Sequence, residues 1–113
     1  MSLSTLIERE FGVKTGSREN PITDSVGVSA ARVLPNNPNR LSWVIVNLSA
    51  NIVYLAFSPD VSSSKGILLS ANGGIGSMIY KEDFELVARE VYAVASAAAS
   101  AIYVVETIIE GEV

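Results

Sequence analysis

From Val26 onward the chain is a series of short β-branched and aromatic runs, broken by clusters of Pro, Asn, Gly and Ser. No helical pattern long enough to serve as a crossover lies between the runs, so the strands they form must pair antiparallel. Candidate strands fall at 26–34, 42–49, 52–58, 66–70, 75–80, 84–89, 91–96 and 101–109. That spacing predicts an all-β fold, an antiparallel β-sandwich, and eight strands suit a jelly roll. Two-residue alternation assigns Trp43, Ile45, Leu55, Phe57, Val94 and Val104 to the core or to a subunit interface.

The turns agree with these limits. Pro35-Asn36-Asn37-Pro38-Asn39 cannot continue a ladder, and Ser49-Ala50-Asn51 and Ala71-Asn72-Gly73-Gly74 read as tight connections. Ahead of the strands, Leu3, Leu6, Ile7 and Phe11 recur at helical spacing, with Thr5 and Glu8 placed for a capping box and Gly12 for the stop. Residues 12–25 are polar and broken by Gly12, Gly16 and Pro21, and read as a linker. The organisation expected is therefore a helix or arm with linker over 1–25 and one β domain over 26–113.

Two strands are apolar on both sides. In 42–49, Trp43 and Ile45 oppose Val44, Val46 and Leu48; in 101–109, Tyr103, Val105 and Ile109 oppose Ile102, Val104 and Ile108. An antiparallel sheet ordinarily leaves one face wet, so a second apolar face calls for a cover. The N-terminal segment or a neighbouring subunit could supply it. With 49% apolar residues, 18% charged residues and a mean hydropathy of +0.36, the composition points the same way. A symmetric homo-oligomer is expected, a trimer being the first guess, with Leu3, Leu6, Ile7, Phe11, Trp43, Tyr54, Tyr92 and Tyr103 as interface candidates.

The chain has no histidine and no cysteine, which removes Ser-His-Asp and Cys-His catalysis and histidine-based metal sites. No catalytic residue, cofactor or metal ligand is expected, and the protein is read as not an enzyme. Glu82, Asp83 and Glu85 read as a solvated edge, and Gly73-Gly74-Ile75-Gly76-Ser77 lacks the Gly-Lys-Ser/Thr of a phosphate loop. Asp60, Ser62, Ser63, Ser64 and Lys65 form a polar loop, and Asn47-Leu48-Ser49 matches the glycosylation pattern by chance. A net charge of −4 without a Lys/Arg cluster argues against nucleic acid. The N-terminus lacks signal-peptide features, and neither uncharged stretch, 41–59 or 91–105, suits a membrane span.

Val33-Leu34-Pro35, Asn39-Arg40, Val46-Asn47-Leu48-Ser49, Val53-Tyr54-Leu55-Ala56-Phe57, Gly66-Ile67-Leu68-Leu69, Asn72-Gly73-Gly74 and Val91-Tyr92-Ala93-Val94-Ala95-Ser96 follow one another between Val26 and Glu106. That layout resembles small structural proteins of tailed phages and related archaeal viruses. The resemblance implies a virion component, a capsid decoration, head-fibre or tail-associated subunit, with capsid or tail proteins as partners. A virion location follows from it, and a cytoplasmic one otherwise. The chain departs from the layout by continuing through Glu110-Gly111-Glu112-Val113. The competing expectation is a module that binds a carbohydrate or other small ligand, with Trp43 and the tyrosines as its platform.

Overall fold

A computed structural model describes residues 2–112. The chain is mostly β, with two antiparallel sheets and a short N-terminal helix. Helix α1 spans Leu3–Phe11, and the strands are β1 (Val13–Arg18), β2 (Ser25–Val26), β3 (Ala31–Leu34), β4 (Arg40–Asn47), β5 (Val53–Ala56), β6 (Ile67–Leu69), β7 (Ile75–Ile79), β8 (Val91–Ala95) and β9 (Ser100–Glu112). The first sheet runs β1-β9-β4-β7, with β2 on β9 as well, and the second runs β3-β8-β5-β6.

The facing sides of the sheets share one buried cluster. Trp43 and Ile45 of β4 and Ile102 and Val104 of β9 meet Val53 and Leu55 of β5 and Val91 and Ala93 of β8. Phe57 packs against the margin of this cluster, whereas Val94 is half-buried, because β8 alternates and turns it to the other side. Gly76 belongs to the close packing: a β-carbon there would come within 3.2 Å of Leu69 and 3.3 Å of Leu55. Gly74 is held more tightly still, since a β-carbon there would collide with the Ser70 backbone, behind a turn in which Asn72 and Gly73 take φ of 60° and 113°. The expected turn at 71–74 is thus required by backbone approach as well as by composition.

Three expectations are corrected. Residues 13–18 are not a linker but an edge strand, paired with β9 from Val13 opposite Glu112 to Arg18 opposite Glu106. Their β-branched and small residues suffice once a 13-residue neighbour offers a free edge. Residues 84–89 are not a strand: α2 (Tyr80–Asp83) and a 3₁₀ turn (Phe84–Ala88) carry the chain from the first sheet to the second. This segment lies in the crossing between the two sheets and joins the ladder of neither. The helix cap is Ser2 rather than a Thr5–Glu8 box: the Ser2 hydroxyl accepts from the Thr5 N–H at 3.2 Å, and Gly12 closes the helix at φ 69°.

The end of β9, residues 109–112, extends beyond the β4 ladder and pairs with β1 alone, forming a projecting ribbon that carries α1. The molecule is correspondingly long, 45 × 23 × 21 Å, with a radius of gyration of 15.0 Å. A compact domain of this length has about 13 Å.

Candidate interaction surface

Strand parity builds the surface. β4 turns Trp43, Ile45 and Asn47 inward, which leaves Ser42, Val44 and Val46 on the outer face. β9 likewise buries Ile102, Val104 and Glu106 and presents Tyr103, Val105 and Thr107. Register then sets these side chains in rows. Ile75, Val46 and Tyr103 form one, Ser77, Val44 and Val105 a second, and Ile79, Ser42 and Thr107 a third. No charged side chain interrupts any row. Ile75 is 65% exposed and Tyr103 43%, so the face is open to solvent. Glu19 borders it: burial first, and then the Glu19 carboxylate, pushes the Tyr103 phenol above its ordinary value.

At one end α1 stands over this face and leaves an apolar groove of about 380 Å³. Ile7 and Phe11 line one wall, and Val13, Leu41, Tyr80 and Ile109 are among the residues of the other. The helix packs on β1, yet Leu3 is 72% exposed and Leu6 and Phe11 also face solvent. Its apolar stripe is therefore only partly covered within the chain.

The other expected interface residues separate. Trp43 is in the core, 1% exposed, because it shares inward parity with Ile45; its Nε1–H has no hydrogen-bond partner among the described residues. Tyr54 and Tyr92 are half-buried on the second sheet, where Tyr92 donates to Glu90 Oε1 at 3.3 Å. Tyr103 alone of these aromatic residues joins the face described above. Trp43 and the tyrosines thus form no common platform.

Asp60, Lys65, Asp83 and Asn47, among the polar groups singled out in the sequence, bond to one another, to nearby hydroxyls or to the backbone. Asp60 pairs with Lys65 and accepts from the Ser58 hydroxyl, an exposed loop closed on itself. Asp83 Oδ2 accepts from the Ile79 N–H at 2.9 Å, at the end of β7. Asn47 is fully buried: its Nδ2 donates to the carbonyls of Asn51, Leu69 and Ser70, and its Oδ1 accepts from the Ser49 N–H and hydroxyl. In the folded chain that side chain has no room for a glycan. Among the described residues no three of His, Cys, Asp and Glu come together as a metal site, and no helix is long and apolar enough to cross a membrane.

One buried ionic cluster escaped the sequence reading. Glu106 Oε2 accepts from Arg40 Nε at 2.8 Å and Oε1 from Arg18 Nε at 2.7 Å. Arg40 also donates to the carbonyls of Val87, Arg89 and Pro35. The signal was available in parity: Glu106 shares a face with Ile102 and Val104, where an isolated carboxylate could not remain unpaired. With Arg18 and Arg40 it joins β1, β4, the 3₁₀ turn and the loop before β4, so the cluster clasps these segments together.

Comparison with family models, with curated proteins and with solved structures returned no match.

Proposed function

We propose that the protein is a non-enzymatic structural subunit of a virion, of the capsid-decoration, head-fibre or tail-associated kind. It would act by holding copies of itself and neighbouring proteins. Strand order carries the reading. β1 and β2 lie end to end on one edge of β9, and count as a single interrupted strand. The eight strands then pair first with last, second with seventh, third with sixth and fourth with fifth. That nesting is how a jelly roll is wound, an architecture used by viral capsid domains, lectins and cupins.

Fold alone does not choose among those uses. The cupin use needs metal ligands that a chain without histidine lacks. The glycan-binding use is weakened by the burial of Trp43 and the separation of the tyrosines. Assembly is favoured by the open, uncharged outer face, and a virion setting is what the resemblance of the sequence layout implies. Light scattering on the purified chain tests it: a multiple of 12.0 kDa is expected at micromolar concentration, reduced by Val44→Lys. A monomer under those conditions would refute it.

The groove under α1 favours a second reading, a module for a small apolar ligand. Saturable binding of an alkyl-chain probe, lost on Ile109→Arg, would support that reading.

A further inference from the structure

We propose that β7 is an association edge that pairs antiparallel with β7 of a second copy, about a two-fold axis beside Gly76. The proposal rests on the reading that the chain self-associates, and adds the edge and the register. β1 and β7 bound the first sheet, and β3 and β6 the second. Free edges are hazardous, and proteins blunt them with charges, prolines, bulges or short length. β1 carries Lys14, Arg18 and a register shift; β3 carries Arg32, a register shift and a bond from the Ile22 N–H to the Val33 carbonyl. β6 has only three residues. β7, Ile75-Gly76-Ser77-Met78-Ile79, has neither charge nor proline and pairs with β4 without a shift.

Charge selects the occupant. No Asp, Glu, Lys or Arg occurs between Lys65 and Lys81, although the chain carries a net −4. Along 75–78 a charged partner strand finds no side chain to neutralise it; Asp83 lies at the Ile79 end and is bonded to the Ile79 N–H. Two copies of an acidic chain, by contrast, meet here without opposing like charges. The junction also sets the exposed Ile75 of each copy beside Ser77 of the other, and joins the two uncharged outer faces into one surface.

The ladder fixes the register. Asn47 N–H donates to the Gly74 carbonyl at 2.8 Å, so even-numbered residues of β7 bond to β4 and odd-numbered ones point outward. Of the odd residues, Ile79 has its N–H taken by Asp83. Ile75 and Ser77 keep both backbone groups free among the described residues. Setting Ile75 opposite Ser77 of the second copy uses all of them, four bonds about an axis beside Gly76. An axis at Ser77 would need the Ile79 N–H that Asp83 already holds.

The native chain lacks cysteine, so introduced thiols report the register cleanly. Ile75→Cys and Ser77→Cys are purified separately, then oxidised alone and as an equimolar mixture. Opposed residues of a hydrogen-bonded pair lie about 5.5 Å apart at Cα, within disulfide reach, whereas like positions sit diagonally, more than ~7 Å apart. The mixture is expected to give the cross-linked dimer and each variant alone to stay largely uncrosslinked. Cross-linking by Ser77→Cys alone would overturn the register. Absence of cross-links throughout would overturn the pairing and leave the edge to a strand of another protein.

Ser77→Pro supplies a second readout, since it removes only an outward donor and spares the β4 ladder. It should weaken dimerisation at least tenfold with the thermal midpoint retained; an unchanged dimer would count against the edge. Val44→Lys separates the two proposals. If it lowers assembly while the cross-linking mixture fails, the face stands and the edge falls. If the mixture cross-links while Val44→Lys has no effect, the edge stands and the face falls.

Discussion

Arg40 and Arg18 grip the same carboxylate at nearly the same distance, 2.8 and 2.7 Å, yet their removal should cost very different amounts. The Arg40 side chain is 0% exposed and that of Arg18 42%. Arg40→Ala leaves Glu106 buried with one partner and strips a donor from the carbonyls of Pro35, Val87 and Arg89. Breaking a buried pair in this way costs about 3–5 kcal/mol. Arg18→Ala removes a half-exposed, solvent-screened contact worth about 0.5–1 kcal/mol. At ~2.1 cal/mol/K per residue, 113 residues give an unfolding entropy of about 240 cal/mol/K, so each kcal/mol moves Tm by about 4 °C. Arg40→Ala should therefore lower Tm by about 12–20 °C. For Arg18→Ala the drop should be about 2–4 °C, shrinking further in high salt. Calorimetry at neutral pH and two salt concentrations reads both. Equal drops, or less than about 4 °C for Arg40→Ala, would show that distance rather than burial governs the clasp.

Asn47→Ala should destabilise the protein by about 2–4 kcal/mol in urea unfolding, because it orphans three carbonyls and the Ser49 donors together. Trp43→Phe should cost about 1–2 kcal/mol in the same assay, from the smaller ring alone since the Nε1–H it removes has no partner among the described residues, whereas Trp43→Ala should cost about 3–5 kcal/mol by leaving a larger cavity. The Lys65 ammonium, and then the Ser58 hydroxyl, hold the Asp60 carboxyl below its ordinary 3.8. A lowered folded value stabilises above the unfolded one and is lost as pH falls through it, so this contribution disappears only below about pH 3.8. Lys65→Ala should raise the Asp60 midpoint in an NMR titration while leaving Tm at neutral pH almost unchanged, because the pair is exposed.

What was legible in the sequence was whatever a strand encodes by itself. Alternation placed Trp43, Ile45, Leu55 and Val104 correctly in the core, and Gly73-Gly74 announced its turn. Helix α1 was readable from four apolar positions, although its cap lay at Ser2, three residues before the position expected. Harder to read were features set by position in the sheet. Val13–Arg18 is a strand because β9 offers it an edge, and 80–88 coils because it crosses between layers. The outer face was half legible: parity exposed Val44 and Val46 as a second apolar side, but only register revealed that Ile75, Val46 and Tyr103 form a row. Trp43 shows the limit of residue type as a guide, since its inward parity outweighs the aromatic preference for interfaces.

The projecting ribbon has a mechanical consequence. Because β1 and β9 run antiparallel, Val13 and Glu112 lie side by side at its tip. A force drawing those two positions apart acts along the hydrogen bonds and strains them one rung at a time, as in a zipper, instead of shearing the whole ladder at once. Opening should advance at low, nearly constant force from the tip inward. At Arg18 and Glu106 it meets the first ion pair joined to the core, and there the force should rise. The ribbon is thus a compliant tether ending in a stop, able to stretch under tension while the two-sheet body keeps its shape.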